Sequence, residues 1–482
     1  MLTGRDGGTG VRYTGCQMIN WRASLNGLQQ RILKALDDYP ALQAVPYWLA
    51  AFLVGLIAVA YTSIFHHLGE LTRYLIENYR FWTLLFLPAS FVSGWWVVRR
   101  FAPLAVGSGI PQVMAALELE PAHYTKKLDY LLGLRTFSVK IVSSFLCALG
   151  GASVGPEGPA IQICAGLFHF VGKRFQKIWP QIGHESLILA GGAAGVAAAF
   201  NTPLGGIVFA IEELSHSHFH KVKTALISAV IIAGLVAQWI KGSYLFIGYP
   251  VLQSTGNIFF IWAIVVGLVT GVSGALFSKL VIGGASRFAK FSFREQLLFN
   301  FLVSAGIIVF CCYFGTYSAG SGIPLISDLL FKPNFEVTWA TTVGRFIFPI
   351  LSYMAGGAAG LLAPALAMGA VLGRQMNEIF SANFPNLMVL LGMIGFLSAF
   401  TRAPFTAFVL VVEMTDRHSA IFFMMITSLI ASAVSRGLGG KSLYENRKEL
   451  YLNAANQAAL RTELPVEPEA DSPATEKTKP AD

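Results

Sequence analysis

The chain has 482 residues, 54% of them hydrophobic and only 13% charged, with a mean hydropathy of +0.59. Such values exclude an ordinary soluble domain and make a bilayer the expected solvent. The net charge of +9 does not point to nucleic acid, because basic residues such as Arg99-Arg100, Lys126-Lys127, Lys173-Arg174 and Lys221-Lys223 punctuate apolar runs as loop anchors do, and no nucleic-acid-binding module is present.

In chain order, residues 1–44 form a polar segment, expected to be cytoplasmic, that lacks the apolar core and small-residue cleavage site of a removable signal peptide. A first membrane half is expected over 45–245 and a second over 246–450, followed by a polar tail over 451–482 that is expected to be disordered from about Glu463. Runs long enough to span a bilayer fall at 45–65, 81–98, 225–240, 258–282, 297–314 and, slightly extended, 420–434. Between them, 104–117, 149–170, 189–213, 355–373 and 397–414 are apolar but interrupted by Gly and Pro. They read as broken helices, which membrane depth tolerates only where the backbone faces protein or a wet cavity.

The interruptions repeat. Gly107-Ser108-Gly109-Ile110-Pro111 returns unchanged 213 residues later as Gly320-Ser321-Gly322-Ile323-Pro324. Pro159, in Glu157-Gly158-Pro159-Ala160, has its counterpart in Pro364, 205 residues on; Pro203 has its own in Pro404, 201 residues on. Each member of the latter pair is followed nine residues later by an acid, Glu212 or Glu413. The expected fold is therefore an all-α, multi-pass integral membrane protein of two duplicated halves, expected to be inverted, with discontinuous helices, an arrangement common to secondary transporters.

Helix starts rich in glycine suit an anion. Their free N–H groups and the positive end of the helix dipole can approach a negative ion where no side chain intervenes, and proline in the first turn forfeits an N–H that has no partner anyway. Four such starts stand at Gly107 to Pro111, Gly155 to Pro159, Gly320 to Pro324 and Gly360 to Pro364. Cys147, Cys164, Cys311 and Cys312 lie in apolar stretches and read as small buried hydrophobes, with no metal pattern. His216, His218 and His220 have a spacing of two that aligns no ligand set on a helix face. No nucleotide loop, zinc motif or nucleophilic triad order is visible, so an enzyme is not expected.

Gly107 to Pro111, Gly155 to Pro159, Gly360 to Pro364 and Gly439 to Tyr444, together with Phe200 to Leu214 and Thr401 to Asp416, resemble in order the signature motifs of the CLC family of chloride channels and chloride/proton exchangers. The resemblance implies chloride transport, most simply chloride/proton antiport with a glutamate gate, the alternative being a passive chloride channel of the same fold. It also implies chloride held by the hydroxyls of Ser108 and Tyr444 and the backbone N–H groups of Leu361 and Leu362, Glu157 as gate and external proton carrier, and Glu213 as internal proton acceptor. Gly107, Gly109, Pro111, Gly155, Gly158, Pro159, Gly360, Pro364 and the intramembrane Lys140 would support the anion path. No cofactor is implied beyond chloride as substrate ion; the expected partners are protons, lipid and a second copy in a homodimer, in a cell membrane and specifically a bacterial inner membrane. The chain departs from the family pattern at Pro156, where a basic residue is common, at Gln112 in place of an acid, and at Leu362 in place of an aromatic.

Overall fold

A computed structural model of the chain describes residues 44–119, 124–176, 183–214, 219–242, 245–252, 256, 258–332 and 335–461. Most of the N-terminal segment, His216, His218 and the tail beyond Arg461 lie outside the described residues. Within them the architecture is helical throughout, and the only β pairing is an isolated bridge between Gly155 and Gly360.

Six stretches are long and apolar enough to cross a membrane: Val45–Asn78, Tyr124–Leu149, Thr224–Lys241, Ile258–Phe288, Phe293–Phe314 and His418–Gly437. Five of them extend runs read from the sequence. The sixth, Tyr124–Leu149, was not among those runs because Lys126, Lys127, Asp129, Arg135 and Lys140 dilute its hydropathy. The run at 81–98 forms the helix Arg80–Phe101, but this helix is not among the six. At the C-terminal end, the helix Leu443–Arg461 passes through position 450, so no structural boundary separates the second half from residues 451–461. Its buried face, which includes Tyr451, Ala455 and Ala459, anchors it to the membrane body.

All five interrupted stretches are broken where the glycines and prolines stand. Helix Ile110–Leu117 follows a turn over Pro103–Ala105; helix Glu157–Phe175 starts after the loop that leaves Leu149; Asn201 and Arg402, both in left-handed backbone (φ +54° and +64°), end the helices before Pro203–Phe209 and Pro404–Thr415; and Leu362–Ile379 begins eight residues after Met354. The eight residues of Ile110–Leu117 reach only about 12 Å, against ~30 Å of hydrocarbon. These pieces therefore end inside the protein, where Ile110 to Leu117 and Glu157 to His169 are buried without exception.

Backbone pairs join the halves at these breaks. Gly155 and Gly360 exchange N–H···O bonds of 2.9 and 3.2 Å, Gly107 donates to Gly357 (2.9 Å) and accepts from Ala359 (3.1 Å), and Gly320 donates to Ala152 (3.0 Å). The contact needs glycine: a Cβ on Gly360 would lie 2.5 Å from the Gly155 oxygen and 3.0 Å from Pro159 Cδ.

Gly360→Ala should consequently cost ~1–3 kcal/mol, the usual range for overpacking a rigid site. Thermal unfolding in detergent should show a lowered midpoint. Gly306→Ala, at a helix position with nothing within 4 Å of the added carbon, should leave the midpoint unchanged or raise it.

Candidate functional site

Three of the four glycine-rich starts converge. Left-handed Gly107 (φ +76°) and Gly109 (φ +102°) present Ser108 between them. Against it stands Gly158, whose missing side chain makes room: a Cβ there would meet Ser108 Oγ at 2.4 Å and Gly360 Cα at 3.3 Å. Pro111, Pro159 and Pro364 each sit in a first helical turn, where a missing N–H costs least. Leu361 caps the helix that Leu362 opens, both residues being buried, and the first amides of such a helix have no acceptor within it.

Into this junction come three polar groups that the protein leaves without a hydrogen-bond partner: Ser108 Oγ, the Tyr444 hydroxyl and both carboxylate oxygens of Glu157. Ser108 and Tyr444 are completely buried and Glu157 is 1% exposed. The two hydroxyls face each other, and Tyr444 is braced edge-on by Phe400 with ring centroids 5.5 Å apart. The Glu157 carboxylate turns back over Gly155, toward the backbone N–H groups of Glu157 and Ala363, without reaching hydrogen-bond geometry. Buried polar atoms normally find partners. A cluster of unpartnered ones at the positive ends of buried helices has the chemistry to receive an anion, with two hydroxyls able to donate to it and a carboxylate able to take its place.

Lys140 stands behind this site. Its ammonium is fully buried, so it does not snorkel to the surface, and it donates to the carbonyls of Ala105 (2.7 Å) and Gly107 (2.8 Å). Gln112 grips the alternate carbonyls of the same segment, Leu104 (3.1 Å) and Val106 (2.6 Å), and Tyr451 also donates to Val106 (2.7 Å). The departure from the family's acid at position 112 thus has a physical reason: the amide donates there, where an ionised carboxylate would face two carbonyl oxygens.

Glu213 is set apart from the junction, in a π turn over Ala210–Leu214. It is 7% exposed, with Glu212, Glu445 and Lys448 within electrostatic reach, and it is also within reach of Tyr444. Lys448 in turn bonds Glu118 at 2.8 Å. Glu212 does something different. Its carboxylate accepts from the N–H groups of Phe405 (3.1 Å) and Thr406 (2.6 Å), while Glu413 accepts from Leu204 (3.0 Å) and Gly205 (2.7 Å). Each acid caps the broken helix of the opposite half, an exchange that a two-fold relation between the halves produces.

Sequence reasoning missed Arg345, which is 1% exposed and donates to Ala319 (2.8 Å), Gly320 (2.9 Å) and Ser153 Oγ (3.3 Å). It holds the second Gly-Ser-Gly loop as Lys140 holds the first. Its place 205 residues after Lys140, the offset of Pro159 and Pro364, was the available signal. Tyr353, buried and with an unpartnered hydroxyl beside Gly107, had no motif to mark it. The start at Gly320 to Pro324 does not join the junction and lines a separate cavity.

A family model described as voltage gated chloride channel matches residues 89–436. The chain is 31% identical to the H(+)/Cl(-) exchange transporter ClcA of Cronobacter sakazakii, over 86% of this chain and 91% of the relative, and 30% identical to that of Klebsiella pneumoniae, over 86% and 90%. Its structure resembles that of a slow cyanobacterial Cl-/H+ antiporter (TM-score 0.75, 26% identity, 86% of this chain and 98% of the other). It also shares the fold of a CLC-type fluoride/proton antiporter (TM-score 0.70, 22% identity, 84% and 98%).

Glu212→Ala and Glu413→Ala are each expected to cost ~0.5–2 kcal/mol, as the loss of a helix cap does. Glu378→Ala, which breaks only the surface pair with Arg374, should cost at most about 1 kcal/mol. Unfolding midpoints of the three variants in one detergent decide between a clasp and a pair of incidental contacts.

Proposed function

The chain belongs to the voltage gated chloride channel family, and from that membership we propose that it is a chloride/proton antiporter in which Glu157 is the gate. The observation that carries the reading is the burial of Ser108, Tyr444 and Glu157, all unpartnered, where three helix starts meet. Its relatives' names and the antiporter among its structural neighbours support exchange over passive conduction.

The mechanism follows from competition. An ionised carboxylate is a tethered anion, so Glu157 and chloride contend for the same helix-end amides; protonation removes the charge and releases the side chain. Chloride arriving at Ser108 and Tyr444 therefore favours the protonated, displaced form of Glu157, and chloride and proton exchange in opposite directions through one residue. Glu213 would relay protons at the other end, where Glu118, Lys448 and Glu445 connect it to solvent. Lys140 keeps a positive charge behind the Gly107 loop without entering the path, so chloride is attracted but not trapped. Chloride is the substrate ion and no cofactor enters the scheme. The likeness to bacterial relatives supports a bacterial inner membrane, the homodimer remains what the family resemblance implies, and nothing in the scheme requires catalysis of a chemical reaction.

In liposomes an outward chloride gradient should drive protons inward; chloride flux with no pH change would replace the antiporter by a channel. Ser108→Ala with Tyr444→Phe should weaken chloride binding about ten- to a hundredfold, since a hydrogen bond to a charged group is worth ~1.5–3 kcal/mol. Calorimetric titration reads that directly. Glu157→Ala should pass chloride without protons and without dependence on outside pH, whereas Glu213→Gln should lose proton movement yet keep the pH dependence of chloride flux that Glu157 confers.

A further inference from the structure

The transport scheme uses the first Gly-Ser-Gly loop and leaves its duplicate, Gly320-Ser321-Gly322, without a task. The duplicate lines a cavity of about 540 Å³ together with Arg73, Lys241, His66 and Glu70. We propose that this cavity is a second anion-binding station, taking chloride or another small inorganic anion, separate from the site at Ser108, Tyr444 and Glu157.

The cavity's charge is the main argument. Arg73 has no hydrogen-bond or ion-pair partner among the described residues and is held only over the Tyr317 ring, 5.6 Å from its centroid. Lys241 reaches the Thr62 hydroxyl at 3.4 Å. Arg345 lies directly behind Gly322, where an added Cβ would sit 3.0 Å from Nη1; its hydrogen bonds go to two carbonyls and a hydroxyl, and its buried Nε is unpartnered. Arg73 and Arg345 are within electrostatic reach of each other. Arg73 and Lys241 line the cavity and Arg345 stands behind its loop, against exposed Glu70 in the lining and Glu77, whose carboxylate accepts from the Thr316 hydroxyl at the cavity wall, so the cations outnumber the neighbouring carboxylates. An unbalanced positive cleft with low-dielectric walls concentrates anions.

The backbone is set up for the same ligand. Nothing lies within 4 Å of a Cβ built on Gly320, so the loop is open on that side. The helix Ile323–Phe331 begins here with Pro324 in its first turn, and Ser321 Oγ supports its start by accepting from Ile323 N (3.4 Å). The space accommodates an anion that keeps part of its water shell.

The place is informative. Helix Phe219–Lys241 begins five residues after Leu214 and ends at the cavity, so Glu213 and the cavity occupy opposite ends of a 23-residue helix. Gly320 donates to Ala152, five residues before Glu157. The station therefore adjoins the loop that carries the gate, on the side away from the inner proton acceptor. Its purpose, to raise local chloride before the gate, rests on the antiport reading; its existence does not.

Two measurements test the station on the full-length protein. In bromide-soaked crystals, anomalous scattering should show an ion between Arg73 and the Gly320 loop; Arg73→Gln with Lys241→Gln should abolish this peak, and Ser108→Ala with Tyr444→Phe should not. Absence of the peak in the parent protein, or its survival in the Arg73→Gln, Lys241→Gln double variant, overturns the proposal, whatever transport shows. In liposomes the same double variant should raise the chloride KM about three- to tenfold from the cavity side alone, with kcat and the proton ratio unchanged, and Lys332→Gln, an exposed lysine outside the cavity, should leave KM as it was. An unchanged KM, or an equal rise from both sides, overturns the role before the gate.

Discussion

The backbone exchange between Gly155 and Gly360 is the constraint on which the rest depends. Two helices from different halves start within hydrogen-bond distance of each other because neither partner carries a side chain. The absence of Cβ atoms that permits the pairing also leaves nearby helix-end amides uncovered. One feature of composition thus serves packing and anion recognition together: a side chain large enough to shield those amides would also push the halves apart. The additional pairs at Gly107 with Gly357 and Ala359, and at Gly320 with Ala152, fix the flanking loops, so that Ser108 and Glu157 meet on a rigid frame.

Loops folded inside a membrane protein leave carbonyl groups unpaired, and unpaired buried carbonyls are costly. Each half answers with a buried cation from its own neighbouring helix: Lys140 on Leu134–Leu149 for Ala105 and Gly107, and Arg345 on Trp339–Met354 for Ala319 and Gly320. Neither cation has a carboxylate among its hydrogen-bond partners. Their charge is solvated by carbonyl dipoles and remains available at long range, which in a low-dielectric interior is considerable. Gln112 completes the first loop by binding the intervening carbonyls without cancelling that charge, as an acid at this position would.

Much of this was legible in the sequence, and the exceptions have physical causes. The breaks were visible because Gly and Pro act locally, and the duplication because its landmarks recur in order. Ser108, Glu157 and Tyr444 were found through motifs, whose meaning is spatial: nothing in the spacing alone brings position 444 to position 108. Arg345 escaped because a lone cation in an apolar run has several readings until its carbonyl partners, 25 and 26 residues earlier in the chain, are seen. The clasp of Glu212 and Glu413 was half visible, since the common distance from a proline was noted, but the crossing of each acid to the other half belongs to tertiary structure. The span Tyr124–Leu149 was hidden by charges that the fold satisfies, Asp129 by buried His169 and by Lys173 at a half-exposed position, and Lys140 by backbone inside the protein.

The duplication keeps some acids and discards others, and the division follows their surroundings. Glu212 and Glu413 are counterparts at the offset of Pro203 and Pro404, and both are retained, each satisfied by two backbone N–H groups. At the same offset the counterpart of Glu213 is Met414, and at the offset of Pro159 and Pro364 the counterpart of Glu157 is Leu362. Both replacements are buried and apolar. A carboxylate at 362 would stand at a helix start joined to that of Glu157, and two acids sharing one buried site cannot both ionise, so one would hold its proton across a wide pH range. In the proposed exchange, a single acid at the junction is therefore what would keep ionisation and anion occupancy alternatives to each other. Acids with fixed N–H partners serve architecture in both halves; Glu157 and Glu213, which have no such partner among the described residues, occur once each, and it is to them that the proposed exchange assigns the change of protonation.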